Sequence, residues 1–140
     1  MNKNSVADFE KSNVRADIEY YAIFCTYRRR KVFYENNIIC RFTELANMYM
    51  KEMECDILSM TVKEDHIILG IKANALLSPM SIIFTLRHNT SSVLRHEFEF
   101  LNKTTALWNR GLLLSTKEIT EDVYHQFLEE QKRKGVRGRL

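Results

Sequence analysis

The alternation of apolar and polar positions divides the chain into segments of two periods. Ile18 to Thr26 (IEYYAIFCT) concentrates aromatic and β-branched side chains, which favour a pleated strand. The basic run from Tyr27 to Lys31 leaves that strand as a loop. From Asn36 to Glu54 the residues Ile38, Phe42, Leu45, Tyr49 and Met53 recur at spacings of three and four. Ile39, Ala46 and Met50 widen the stripe, and the period is that of a helix. Two β-type runs follow, Asp56 to Val62 and His66 to Lys72, with Lys63, Glu64 and Asp65 as the polar turn of a hairpin. Ser78 and Pro79 open a second helix, a hydroxyl cap followed by a ring at the first helical position. Its apolar side continues through Ile82, Ile83, Leu86, Thr90, Val93, Leu94 and Phe98. Trp108 to Arg110 lead into a short buried strand, Gly111 to Thr116 (GLLLST). Thr120, Glu121 and Asp122 cap a last helix running to about Lys134, acidic in its first turn and basic in its last, as the helix dipole favours.

The order β, α, β, β, α, β, α predicts an α+β fold of the split βαβ kind, ferredoxin-like or RRM-like. An antiparallel sheet carries an extra C-terminal helix. The patterned region, 18–134, is the size of one domain. Residues 1–17 read as a polar N-terminal arm and 135–140 as a basic C-terminal tail. One Pro and four Gly in 140 residues argue for long regular elements. At 45% hydrophobic and 28% charged, the composition is that of a folded globular chain and excludes a disordered one.

A net charge of +3 does not by itself demand a polyanionic partner, but its distribution is uneven. Arg28, Arg29, Arg30 and Lys31 form one basic run, and Lys132, Arg133, Lys134, Arg137 and Arg139 form another. Such clusters favour phosphate contacts through counterion release, but on charge alone a solvated loop and helix tail is the better reading. Cys25, Cys40 and Cys55 are odd in number and lack CxxC spacing, which fits a reducing compartment and excludes a disulfide framework. No signal-like or membrane-spanning apolar run occurs, so a cytoplasmic protein without membrane attachment is expected.

The chemistry-bearing segment is Lys63-Glu64-Asp65-His66-Ile67-Ile68-Leu69-Gly70-Ile71. Alternation puts His66 and Ile68 on one face of a strand. Two imidazoles at those positions would converge on one metal ion. Ile68 has no lone pair and cannot ligate. His66 alone is more often an ordinary hydrogen-bonded residue than a ligand.

The chain resembles the insertion-sequence single-tyrosine HUH transposases, which include the REP-associated tyrosine transposases. Five pieces carry the resemblance in order over about residues 18–134. Phe24 to Val32 (FCTYRRRKV) is similar to the family's opening strand and YRRKV-type run, and Asp65 to Leu69 (DHIIL) resembles D-H-V-H-L. Ser78-Pro79 with Leu86-Arg87 and Ser91-Ser92 is similar to the central helix that ends near Phe98. Leu107 to Gly111 (LWNRG) resembles the L-W-x-x-G/S turn, and Glu121 to Gln131 the terminal helix with its Y-I-E-x-Q pattern.

The resemblance implies a dimer that recognises DNA hairpins. It implies two histidines and a glutamine around Mg²⁺ or Mn²⁺, and a helix tyrosine that attacks the scissile phosphate. Residue by residue, the first histidine matches His66 and the glutamine matches Gln131, which would leave at most a residual metal site. The second histidine falls on Ile68 and the nucleophile on Phe127, a ring without the attacking oxygen.

The function expected is therefore that of a transposase-like protein with a degenerate active site and no cofactor. It would be domesticated, binding structured single-stranded DNA or RNA hairpins, with a possible regulatory role. Arg28, Arg29, Arg30, Lys31, Arg87, His88, Arg95, Lys132, Arg133 and Lys134 are the candidate phosphate contacts. An active transposase using Tyr124 is the first alternative. Its oxygen would be displaced by about 4.5 Å along the helix, so Tyr124 reads better as half-buried packing. His125 could be a replacement metal ligand, but it sits about 100° round the helix from Tyr124, so the two are not expected to face one site. The second alternative is a non-catalytic dimeric interaction module, with Met48, Met50 and Met53 as a candidate partner face, although a core role suits them better.

Overall fold

The computed structural model describes the backbone of residues 16–137 and the side chains of residues 16–131. Strand β1 (Glu19–Cys25) is followed by helix α1 (Asn36–Glu52), the hairpin β2 (Asp56–Val62) and β3 (His66–Lys72), helix α2 (Pro79–Glu97), strand β4 (Leu113–Ser115) and helix α3 (Glu121–Arg137). The sheet order is β2-β3-β1-β4 with every pair antiparallel. This is the α+β, split βαβ arrangement expected from the order of elements, with α3 as the additional helix.

The period of two in β1 and β3 sorts the side chains onto two faces. Ala22 and Phe24 on β1 and Ile67, Leu69 and Ile71 on β3 point to one face. There they meet Ile38, Phe42, Leu45, Ala46 and Met50 of α1 and Ile82, Ile83, Leu86 and Leu94 of α2. Trp108 closes this core, its ring centroid 4.9 Å from Phe24, 5.8 Å from Phe42 and 5.9 Å from Phe33. Ile23 and Cys25 point the other way and pack on Phe127 and Leu128 of α3. Both sheet faces are thus covered in the middle, and β3 reads as a nearly unbroken apolar run.

Several boundaries differ from the pattern, each for a local reason. Helix α1 stops at Glu52 and not Glu54, because Glu54 takes a left-handed conformation (φ 61°) and its N–H bonds to Lys51 O at 2.9 Å. The expected loop after β1 contains a 3-10 turn, Tyr27–Arg29, with Arg28 and Arg29 both left-handed (φ 55° and 50°). A second 3-10 turn, Glu99–Lys103, follows α2 and was not visible in the periodicity. Strand β4 is shorter than Gly111 to Thr116, because only Leu113 to Ser115 pair with β1. Helix α3 runs to Arg137, past Lys134, so the first part of the expected tail is helical. Residues 1–15 of the expected arm and residues 138–140 lie outside the described residues. The three candidate methionines do not form one exposed partner face: Met50 of α1 is in the core, Met53 just after the helix packs at its edge and Met48 is exposed.

Candidate functional site

The residues singled out by the resemblance gather on the α3 side of the sheet. His66 opens β3 and is 5% exposed, and Ile68 stands two residues on, against the same small core as Tyr124. Thr120 starts α3, its carbonyl accepting from Tyr124 N at 2.9 Å. The first turn of the helix then carries Tyr124 across to β3. Tyr124 Oη lies 2.9 Å from His66 Nε2. Asp65 Oδ1 lies 2.7 Å from His66 Nδ1. An ionised carboxylate can only accept, so Nδ1 carries the proton, and Nε2 accepts the Tyr124 O–H. Arg29 completes the chain, donating through Nε at 3.0 Å and Nη2 at 2.9 Å to Asp65 Oδ2 and through Nη1 to Leu128 O at 3.3 Å. The four side chains thereby link the β1 loop, β3 and α3.

Burial acts on the two central members of this chain. Burial lowers the His66 pKa against the opposing pull of Asp65, so the imidazole is neutral at neutral pH. Burial, with Glu121 next, raises that of Tyr124, so the phenol keeps its proton. A hollow of about 420 Å³ opens beside Tyr124, floored by Ile23, Ile68 and Ile119 and rimmed by Thr61, Lys63 and Glu121. Lys63 and Glu121 bring one charge of each sign to it.

Phe127 and Gln131 share one helix face, as their spacing requires. Both are buried, Phe127 at 8% exposed in the apolar contact with Ile23 and Cys25, and Gln131 at 1%. Asn109 Nδ2 donates to Gln131 Oε1 at 3.4 Å and to Gln131 O at 3.3 Å, and Gly111 leaves no room for a Cβ against that amide. The residues present do not fit a divalent cation. His66 Nε2 is engaged by Tyr124, the second position is alkyl, and Gln131 Oε1 is engaged by Asn109. Among the described residues there is no group of three or more His, Cys, Asp or Glu that could hold a metal ion. His125, raised as a substitute ligand, pairs with Glu121 at 3.1 Å on the exposed side of α3.

The basic candidates separate into two kinds. Arg29 is spent on Asp65. Arg87 donates through Nη1 to Asn109 O at 2.9 Å and Gly111 O at 3.1 Å, and burial lowers its pKa. Arg95 ties down the loop after α2 through Asn102 Oδ1, Thr104 O and Thr105 O. Arg30 reaches Thr104 Oγ1 at 3.0 Å. Arg28 and Lys31 are exposed; Lys31 lies 3.8 Å from Glu64. The side chains of Lys132, Arg133 and Lys134 lie outside the described residues.

Sequence reasoning missed Asn109, a buried hub. Its Oδ1 accepts from Arg28 N at 3.0 Å, its N–H donates to Cys25 O at 2.9 Å and its Nδ2 holds Gln131. Its only sequence signal is a polar residue between Trp108 and a Gly-containing turn. The Tyr124 bond to His66 had no signal, because the two lie 58 residues apart.

A family model described as "Transposase IS200 like" matches residues 14–131. No curated protein matches the chain significantly. Among solved structures, a candidate transposase from Deinococcus radiodurans R1 superposes with a TM-score of 0.74 at 16% identity, covering 84% of this chain and 92% of that one. A REP-associated tyrosine transposase bound to a REP hairpin superposes with a TM-score of 0.55 at 10% identity, covering 81% of this chain and 66% of that one. At these identities the structural likeness shows the fold.

Proposed function

The chain belongs to the IS200-like transposase family, and from that premise we propose that it binds hairpins of single-stranded DNA without cutting them, as a regulator. The observation that carries this reading is the hydrogen bond of Tyr124 Oη to His66 Nε2 at 2.9 Å, with Ile68 and Phe127 filling the two other positions that the resemblance assigns to chemistry. Phosphoryl transfer needs a nucleophile and a means of neutralising the charge that builds on the phosphate. A phenyl ring supplies no nucleophile, and an alkyl side chain supplies no ligand for a neutralising cation. Binding needs neither. The structural neighbour that holds a REP hairpin supports the choice of partner. Homodimerisation, cytoplasmic placement and the absence of a metal cofactor belong to the same proposal.

One observation favours a second reading, in which Tyr124 is itself the nucleophile. Its hydroxyl faces a neutral imidazole that could accept its proton. Three features weigh against it. The phenol is held protonated by burial, Glu121 beside it repels a phosphate, and Lys63 is the single cation on the rim of the hollow.

The two readings separate in one experiment, an electrophoretic shift with a covalent-adduct assay on DNA hairpins, with and without Mg²⁺ or Mn²⁺. A salt-sensitive shift with no adduct is expected. An adduct that disappears in Tyr124→Phe establishes the second reading, and no shift at physiological salt refutes the first.

A further inference from the structure

We propose that the outer face of α2 is a docking surface for the unpaired nucleotides of single-stranded DNA, with Phe84 and His88 as a stacking platform and the hollow beyond them as a phosphate seat. This rests on the reading of the chain as a hairpin-binding protein and names the surface that would meet the loop. The inner stripe of α2 is buried in the core through Ile82, Ile83, Leu86 and Leu94. Met80, Phe84, His88 and Ser92 follow one another at intervals of four, so they form one strip on the opposite side. Phe84 is 64% exposed, and no core contact accounts for it. Its ring and that of His88 lie 5.7 Å apart between centroids and within 9° of parallel. Two flat faces offset in nearly parallel planes make a wide π-surface of the kind on which bases stack, whatever their identity.

The strip runs into a hollow of about 500 Å³ lined by His88, Ser91, Ser92, Arg95, His96 and Asn102. The lining holds hydroxyls, an amide, two imidazoles and a guanidinium, and no carboxylate. Glu97, the nearest acid on the helix, is turned to Arg41 on α1, with bonds of 2.8 and 2.9 Å. Arg95 is fixed through Asn102, Thr104 and Thr105, so its charge is held in place before any ligand arrives. The carbonyl ends of the last helical turn would repel an anion, but two are already capped, Leu94 O by Phe98 N and Arg95 O by Asn102 Nδ2. Charge and ring geometry together suit a nucleotide. A second copy of the chain suits the strip less well, because a stable protein interface of about 800 Å² per partner needs an apolar centre, and half of this strip is polar.

The test uses the full chain and a DNA hairpin with 2-aminopurine in its loop, beside a fully paired duplex and an RNA hairpin of the same sequence. Phe84→Ala should weaken hairpin binding about tenfold and abolish the stacking-induced quenching, whereas Phe84→Tyr should keep both. Ser92→Asp, which puts a carboxylate into the hollow, should weaken hairpin binding as well. Duplex affinity should be the same in all variants. Wild-type affinity and quenching retained in Phe84→Ala would overturn the proposal while leaving hairpin binding intact. So would tighter binding of the RNA than the DNA, or a dimer that Phe84→Ala dissociates with no change in DNA affinity. If the wild type binds no hairpin, both this proposal and the reading beneath it fall.

Discussion

A phenol and an imidazole held 2.9 Å apart in a half-buried setting satisfy one another's hydrogen-bonding needs. Removing the hydroxyl leaves His66 Nε2 without its protein partner, at the desolvation cost of one polar atom. Tyr124→Phe should therefore lower unfolding stability by about 1–3 kcal/mol in urea denaturation. An unchanged midpoint would mean that solvent replaces the phenol freely. The cysteines sample three settings, Cys25 in the same small core, Cys55 in the main core and Cys40 at the surface. Burial pushes the Cys25 thiol up to about 12, only partly offset by Arg29, and raises Cys55 as well, while Cys40 is exposed. A thiol reagent at pH 8 should titrate one group in the folded protein and three after denaturation. The sign of the accompanying pH effect follows from linkage. Between the ordinary value of 9.0 and about 12 the folded Cys25 keeps a proton that the unfolded chain releases, so its contribution to stability is present below 9.0 and lost as pH rises above it.

At the scale of elements, α3 is attached to the sheet in two ways. Phe127 and Leu128 supply apolar contact; the polar contacts are those of Tyr124 to His66, of Arg29 to Leu128 O and, in the turn before β4, of Gln131 to Asn109. Gly111 makes the Gln131 contact possible, because a Cβ there would occupy the space of the Gln131 amide. Gly111→Ala should displace that amide from Asn109 and cost about 1–3 kcal/mol, since the buried partners lose each other. Denaturation of this variant, compared with Gln131→Ala and with the double variant, reads the coupling directly. Additive effects would show that the glycine and the glutamine are independent.

Across the whole molecule, stability is distributed by the sheet order. Strands β1 and β3 are central, are paired over their full seven-residue lengths and are packed on both faces in the middle. Strand β4 is an edge of three residues. Amide hydrogen exchange should therefore be slowest in Ala22 to Phe24 and Ile67 to Leu69, and faster in Leu113 to Ser115. Equal protection along β4 would show that the edge is covered by another chain, as a dimer would do. Short edges of this kind also limit unwanted strand pairing.

The sequence alone determined the order and kind of the elements, because the periods of two and 3.6 are local and survive without a tertiary context. It determined the family through five spaced motifs, and it placed Ile68 and Phe127, which lack a lone pair and a hydroxyl, where the resemblance implies ligation and attack. The tertiary structure decided what the remaining polar groups do. Tyr124 reads along the chain as packing, yet the crossing of α3 over β3 sets its hydroxyl against His66. Arg29 and Arg87 read as phosphate contacts, yet folding brings Asp65 and the carbonyls of Asn109 and Gly111 within their reach. Asn109 had almost no signal, since its partners come from three separate stretches of chain, around Cys25 and Arg28, at Arg87 and at Gln131. Hydrophobic patterning is a property of neighbours in sequence. Hydrogen-bond pairing between distant polar groups is a property of where the packed elements finally lie.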